Sequence, residues 1–221
     1  MREQNSLQRF AIGTAQDVAF DTAAWGPAAA DVDLSVACMF EHEADGAAVA
    51  GGLLALDRAL GGLLTRMRGT GAFRGQEMET LLVSLPPAPI PARAVLVIGL
   101  GQPATLTADV LRRAARAALR EAVRLGAASL AFAPSVLDAG HTDNAGLDMP
   151  HVMLDGMLGA LAAEQMLADG GFARPLALRS CTFDVGAARL EGAARAFGEA
   201  FGRLGGAGDV AGAYLGNISR A

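Results

Sequence analysis

The chain has 221 residues, which is enough for one domain with a substantial core. Its formal net charge is -5 and all 18 basic residues are arginine, so a nucleic-acid partner is not expected and chemistry that needs a lysine amine is excluded. No apolar run reaches membrane-spanning length, and residues 1–10 are polar and lack the apolar centre of a signal peptide. We therefore expect a cytoplasmic protein.

The first third of the chain predicts two strands followed by one long helix. Residues 8–14 are predicted as a strand, residues 16–31 as irregular, and the apolar residues 33–40 as a buried strand. Residues 49–67 carry leucines at the three-to-four spacing of a helix, namely Leu53, Leu56, Leu60 and Leu64. The Gly-rich residues 68–76 are predicted as a loop.

The rest of the chain alternates between strands and helices. Strands are predicted at residues 80–85, 94–98, 128–133 and 176–185, and helices at residues 107–125, 150–167 and 187–204. This alternation predicts a three-layer α/β/α sandwich with a central mixed sheet. We expect residues 1–204 to form one domain and the Gly-rich residues 205–221 to form a flexible tail.

Two features of composition have ordinary structural explanations. The helix at 107–125 has an arginine-rich face, which we interpret as a solvated surface because the whole chain is acidic. Cys38 and Cys181 each lie in an apolar, strand-like run and are expected to be buried, reduced thiols.

An ordered series of short motifs extends from residue 56 to residue 101. Its members are Leu56-Asp57, Gly61-Gly62, Phe73-Arg74-Gly75, Thr80 and Gly99-Leu100-Gly101. In this order and spacing the chain resembles the N-terminal domain of the leucyl (cytosol) aminopeptidase family, and the similarity covers most of residues 33–204. The resemblance implies a macrodomain-like fold, since that domain is similar in fold to macrodomains, which bind ADP-ribose and related nucleotides.

The resemblance does not extend to peptidase chemistry. The family's catalytic domain uses a lysine and several carboxylates around two metal ions, and this chain has no lysine and ends about where that domain would begin. Residues 141–147 look superficially like the family's catalytic signature but lack its Glu and Arg. We therefore expect a non-catalytic binding or assembly module, without aminopeptidase activity or cofactor, that associates with itself or with another protein and not with a membrane.

Two glycine-bearing loops suggest an alternative function. Residues 45–52 and 135–150 look like the phosphate-holding loops of macrodomains, where glycine lets backbone amides approach an anion. The candidate ligand-binding residues are Asp45, Gly46, Gly51, Gly52, Asp138, Gly140, His141 and Gly146. The alternative is thus a macrodomain-like binder of ADP-ribose or a related nucleotide, with or without hydrolase activity. The same loops are equally explained as turns between layers.

A second alternative is a metal-dependent enzyme that uses residues 141–155. Imidazole and carboxylate groups can hold Zn²⁺ or Mn²⁺, and the weak candidates here are His141, Asp143, Asp148 and His151, with Asp155 one helical turn further on. Their spacing matches no tight metal signature, so no metal is expected.

Overall fold

The computed structural model describes residues 8–41, 51–134 and 147–205. Within these ranges the chain forms a seven-stranded sheet and five α-helices. The strands are β1 (Arg9–Ala15), β2 (Val18–Ala23), β3 (Leu34–Met39), β4 (Thr80–Val83), β5 (Ala94–Gly99), β6 (Ser129–Ala133) and β7 (Ser180–Asp184). The helices are α1 (Gly51–Ala59), α2 (Leu63–Gly69), α3 (Ala108–Leu125), α4 (Met149–Asp169) and α5 (Leu190–Arg203).

The sheet is mixed, in the order β1-β2-β7-β6-β3-β5-β4. The strands from β2 to β5 in this order are parallel to one another, and β1 and β4 are antiparallel at the two edges. Strands β3 and β5 are buried along their whole length, as is usual for parallel strands covered on both faces. All parallel strands therefore end at the same edge, called here the carboxyl edge.

Helices cover both faces of the sheet. On one face α3, α4 and α5 pack on alternate strand residues such as Val36, Leu130 and Phe183, and on the other α1 and α2 pack on residues such as Ala37 and Val97. Helix α5 is held by aromatic contacts, with a ring-centroid distance of 4.2 Å between Phe183 and Phe197. The three-layer sandwich predicted from the sequence is confirmed.

The prediction that residues 16–31 are irregular is wrong, because they contain strand β2. A two-residue turn at Gln16 and Asp17 joins β1 to β2, and both residues have positive φ (48° and 62°). Hairpin turns of this kind normally carry Asn and Gly, whose absence hid the strand.

The single helix predicted at residues 49–67 is also wrong, since it is divided into α1 and α2. Gly61 and Gly62 have φ of 66° and 76°, which breaks the first helix. The buried Asp57 carboxylate then accepts hydrogen bonds from the Leu64 amide (2.8 Å) and the Thr65 hydroxyl (2.6 Å), and so caps α2. The Leu56-Asp57 and Gly61-Gly62 motifs are thus parts of a helical corner.

The remaining motifs form a close crossing of two chain segments. An added Cβ at Gly99 would lie 2.0 Å from the Gln76 carbonyl oxygen, so a side chain does not fit there. The Gly101 amide donates to the Gly75 carbonyl (3.0 Å), and the Gly99 amide donates to the Glu79 carbonyl (2.7 Å). The Gly99-Leu100-Gly101 motif therefore serves the architecture of the sheet.

Four arginines on the arginine-rich face of α3 pair with carboxylates. Arg112 lies 2.6 Å from Asp155 on α4, and further ion pairs join Arg113 to Glu77, Arg120 to Glu164 and Arg124 to Glu121. These pairs agree with a structural role for this face.

Both cysteines are buried, as predicted, and burial raises the pKa of the Cys181 thiol. None of the helices formed by the described residues is long and apolar enough to span a membrane. A cytoplasmic location stays a prediction from the sequence.

Candidate ligand cavity

A cavity of about 580 Å³ lies at the carboxyl edge of the sheet. It is bordered by the ends of three parallel strands, at Ala24 directly after β2, Ala133 in β6 and Asp184 in β7. This size is within the usual range for small-molecule pockets, and the ends of parallel strands are where open α/β sheets bind ligands.

The wall of the cavity is mostly apolar. Its larger side chains come from the loop after β2, the start of α4, the segment after β7 and the first turns of α5. They are Trp25, Pro27, Met149, Pro150, Met153, Val185 and Phe197. Two charged residues, Asp184 and Arg189, also line it. Apolar walls with a few polar groups are typical of sites for small organic molecules.

The Asp184 carboxylate joins two segments of the cavity wall. It lies at the end of β7, is 7% exposed, and accepts a hydrogen bond from the Trp25 backbone amide at 3.0 Å. This bond joins the end of β7 to the loop that follows β2.

A second polar group, the Arg9 guanidinium, contacts the Trp25 ring. The Arg9 guanidinium lies over the Trp25 ring, 5.2 Å from the centroid, and forms an ion pair with Asp21 on β2. Arg9 also approaches the Thr182 hydroxyl on β7 at 3.4 Å. Strands β1, β2 and β7 thus hold Trp25 in place through one side chain.

Two helices begin at the cavity. Gly52 in the first turn of α1 and Pro150 in the first turn of α4 both line it. A Cβ at Gly52 would lie 2.9 Å from the Pro27 ring, so glycine allows α1 to approach this loop closely. Backbone amides and the helix dipole at a helix start favour anions. In α4, however, the Met149 amide donates to the Leu147 carbonyl, Pro150 has no amide hydrogen, and the His151 amide donates to Asp148. The start of α1 is therefore the candidate anion site.

The sequence-predicted ligand residues divide into two groups. Gly52 lies in the cavity wall, and Gly51, with φ of 57°, precedes it in α1. The others, Asp45, Gly46, Asp138, Gly140, His141 and Gly146, lie outside the described residues.

The two carboxylates of this segment, Asp148 and Asp155, have structural partners. Asp148 caps α4 by accepting the His151 amide at 3.1 Å, and it pairs with Arg203 of α5 at 2.5 Å. Asp155 pairs with Arg112. Within the described ranges no three His, Cys, Asp or Glu side chains lie close enough to hold a metal ion. His141 and Asp143 are outside those ranges.

Sequence reasoning missed Trp25, Asp184 and Arg189. An acidic residue at the end of an apolar strand, followed by Val185-Gly186, was an available signal for Asp184. Trp25 precedes the Gly26-Pro27 turn, which sequence reasoning recognised only as a turn.

Comparison with known proteins connects the middle of the chain to one family. The model of the cytosol aminopeptidase family, N-terminal domain, matches residues 37–147, which is half of the chain. A probable cytosol aminopeptidase of Alkaliphilus oremlandii is 37% identical over 89 residues, which are 40% of this chain and 17% of the relative. The chain thus spans only a small part of this relative's length.

Solved structures of two kinds share the fold. A tomato leucine aminopeptidase mutant has a TM-score of 0.59 at 16% identity, covering 86% of this chain and 37% of its own. A Trypanosoma brucei macrodomain has a TM-score of 0.55 at 21% identity, covering 89% of this chain and 72% of its own. At these identities the likeness concerns the fold alone.

Proposed function

The chain belongs to the cytosol aminopeptidase family through that family's N-terminal domain, and from this premise we propose that it is a non-catalytic domain that binds a nucleotide of the ADP-ribose class in the carboxyl-edge cavity. The observation that carries the proposal is the cavity itself. It combines an apolar wall, one carboxylate and the start of helix α1 at the ends of parallel strands.

The parts of the cavity match the parts of a nucleotide. An apolar wall with Trp25 suits a planar base. The first turn of α1 suits phosphate oxygens, because backbone amides and the helix dipole at a helix start attract anions.

The ligands of proteins with the same fold support this class of ligand. Macrodomains of Trypanosoma brucei were solved in complex with ADP and with ADP-ribose. We transfer the ligand class to this chain as part of the proposal.

The absence of peptidase chemistry is also part of the proposal. It is supported by the lack of lysine in these 221 residues, since the catalytic domain of the family that the chain resembles uses a lysine. We expect no hydrolysis of leucine amide by the purified protein with added Mn²⁺ or Zn²⁺, and clear turnover would contradict this.

The binding test is calorimetry with ADP-ribose on the wild type and on a matched pair of variants. Gly192 and Gly202 both lie in α5, and a Cβ at either would meet nothing within 4 Å among the described residues, but only Gly192 lines the cavity. We expect Gly192→Leu to weaken binding at least about tenfold, because its side chain occupies the cavity wall.

Gly202→Leu serves as the control and should bind like the wild type, since both variants gain helix propensity equally. No heat and no thermal shift with ADP-ribose or ADP would contradict the proposed function. Equal binding by both variants would place the ligand elsewhere.

We also propose that the chain associates with a second copy of itself. This is favoured by exposed apolar side chains at the carboxyl ends of α3 and α4: Phe172 is 84% exposed, Met166 51%, Leu167 44% and Leu125 39%. We call these four residues the apolar patch. Light scattering after size-exclusion chromatography should give a mass above that of the monomer, and Phe172→Ser should reduce it.

Leu85→Ser is the control for this test, because Leu85 is 89% exposed but follows the edge strand β4 and is not on α3 or α4. A strict monomer at high protein concentration would contradict self-association.

A further inference from the structure

Trp25 is the single tryptophan of the chain, and it lies in the wall of the cavity. It follows β2 at the carboxyl edge, directly before the Gly26-Pro27 turn. The cavity wall contains two aromatic residues, Trp25 and Phe197. Phe197 is 2% exposed and stacks on Phe183, whereas Trp25 is only half-buried. Trp25 is therefore the planar surface that a ligand can contact.

The Trp25 residue is fixed at two points. Its backbone amide donates to Asp184 Oδ1 at 3.0 Å, and its ring is covered by the Arg9 guanidinium, whose carbon lies 5.2 Å from the ring centroid. Both contacts come from strands of the sheet, at the end of β7 and the start of β1. The ring therefore has a defined position before any ligand arrives, which lowers the entropy cost of stacking.

Arg9 is itself anchored by buried groups. The Asp21 side chain that pairs with it is 11% exposed, and the Arg9 side chain is 46% exposed. Arg9 does not belong to the cavity wall, whereas Trp25 does. The guanidinium therefore acts on the ligand through Trp25 and not directly.

The indole Nε1 atom of Trp25 is buried and finds no hydrogen-bond partner among the described residues. An unpaired buried donor is unfavourable, so the ring is kept in this orientation by its other contacts. The Trp25 ring is thus oriented by contacts to its face, such as that of Arg9, and not by a hydrogen bond from Nε1. Contacts of this kind suit a residue that stacks on a ligand.

We propose that Trp25 is the specificity-determining residue of the cavity, which stacks on the planar ring of a base-containing ligand, and that Arg9 is its positioning residue. This inference rests on the proposed nucleotide function and adds to it a choice of ligand. The cavity selects nucleotides with a heteroaromatic base over sugar phosphates that lack one.

The first test compares ADP-ribose with ribose 5-phosphate, which has no base, in the wild type, Trp25→Phe and Trp25→Leu. Loss of a stacking aromatic side chain typically weakens base binding about fivefold to a hundredfold. We expect Trp25→Leu to weaken ADP-ribose binding by at least about tenfold on that scale, and Trp25→Phe to retain most of the affinity. Binding of ribose 5-phosphate should be unchanged, or too weak to detect in all three proteins.

The wild type provides a second measurement that does not depend on a variant folding. Because Trp25 is the single tryptophan, its fluorescence reports on this wall alone. ADP-ribose should quench or shift the emission, and ribose 5-phosphate should not. Unchanged emission at saturating ADP-ribose, as judged by calorimetry, would overturn the inference.

The positioning role of Arg9 is tested with Arg9→Lys and Arg9→Gln. Arg9→Gln should shift the tryptophan emission of the unliganded protein and weaken ADP-ribose binding, and Arg9→Lys, which keeps the cation, should restore part of both. A loss in Arg9→Gln that affected ribose 5-phosphate equally would assign Arg9 a general structural role and overturn its positioning role.

The outcomes separate this inference from the proposed function. If ADP-ribose binds the wild type and Trp25→Leu equally well, the stacking role is wrong and the nucleotide function stands. If the wild type binds neither ADP nor ADP-ribose, the nucleotide function itself is wrong.

Discussion

The Asp33 carboxylate joins the starts of two neighbouring strands, β3 and β6. It accepts hydrogen bonds from the Ala128 amide at 2.7 Å and the Arg93 guanidinium at 3.2 Å, and the Asp33 amide donates to the Ser129 hydroxyl at 2.9 Å. The Ala128 amide, with help from Arg93, holds the pKa of Asp33 below its usual value of 3.8. The ionised carboxylate therefore stabilises the fold.

We expect Asp33→Asn to lower the free energy of unfolding by about 1 kcal/mol at pH 7, the usual value for one such hydrogen bond. The folded-state pKa is the lower one, so this stabilisation is complete above the unfolded pKa and is lost as the pH falls through the folded pKa. Urea unfolding at pH 7 and pH 3 should therefore show a difference between wild type and variant that shrinks in acid. The exposed Asp31, changed to Asn, is the control and should show little effect at either pH.

Where residues 75–79 cross the end of β5, the backbones are so close that one added methyl group should destabilise the fold. An added methyl group at Gly99 would lie 2.0 Å from the Gln76 carbonyl oxygen, and both partners are backbone, so the clash requires the chain to move. We expect Gly99→Ala to cost about 3 kcal/mol, at the upper end of the range for overpacking. Denaturant unfolding measures this loss.

Gly198→Ala in α5 is the matched control, because a Cβ there meets nothing within 4 Å in the described part of the chain. It should be neutral or stabilising by up to about 1 kcal/mol through helix propensity. Similar stability of the two variants would show that the crossing is looser than the contact implies.

Elements with local signals could be predicted from the sequence, and elements defined by distant contacts could not. Helix α3 begins after the Thr107 cap and ends at Gly126, so its bounds were readable. Strand β2 was missed because it carries the buried polar residues Asp21 and Thr22 and follows a turn without glycine. Besides β1 it pairs with β7, which is far along the chain, and only the sheet brings β2 and β7 together.

The cavity shows the same limit. Gly52 could be predicted because a glycine-bearing loop before a helix is a local pattern. The contact between Trp25 and Asp184 joins residues separated by 159 positions, and it depends on the parallel pairing of β2 with β7. No local pattern in the sequence contains that information.

The molecule as a whole separates its two proposed surfaces. Helix α4 starts in the cavity wall at Met149 and ends near the apolar patch, and its 21 residues span about 30 Å. We expect the two functions to be independent. Phe172→Ser should leave the dissociation constant for ADP-ribose unchanged, and Gly192→Leu should leave the mass in light scattering unchanged. A change in the dissociation constant that follows the mass would show that the surfaces are coupled.

The two buried cysteines are chemical probes of transient opening of the fold. Cys38 lies on β3 and Cys181 on β7, inside the layer between the sheet and the helices α3 to α5. Thiolate is the reactive form of cysteine, and burial raises the pKa of Cys181, so the folded protein resists alkylation on both steric and electrostatic grounds. Alkylation of these thiols therefore requires the helices α3 to α5 to separate transiently from the sheet. The alkylation rate measures how often this opening exposes the core to solvent.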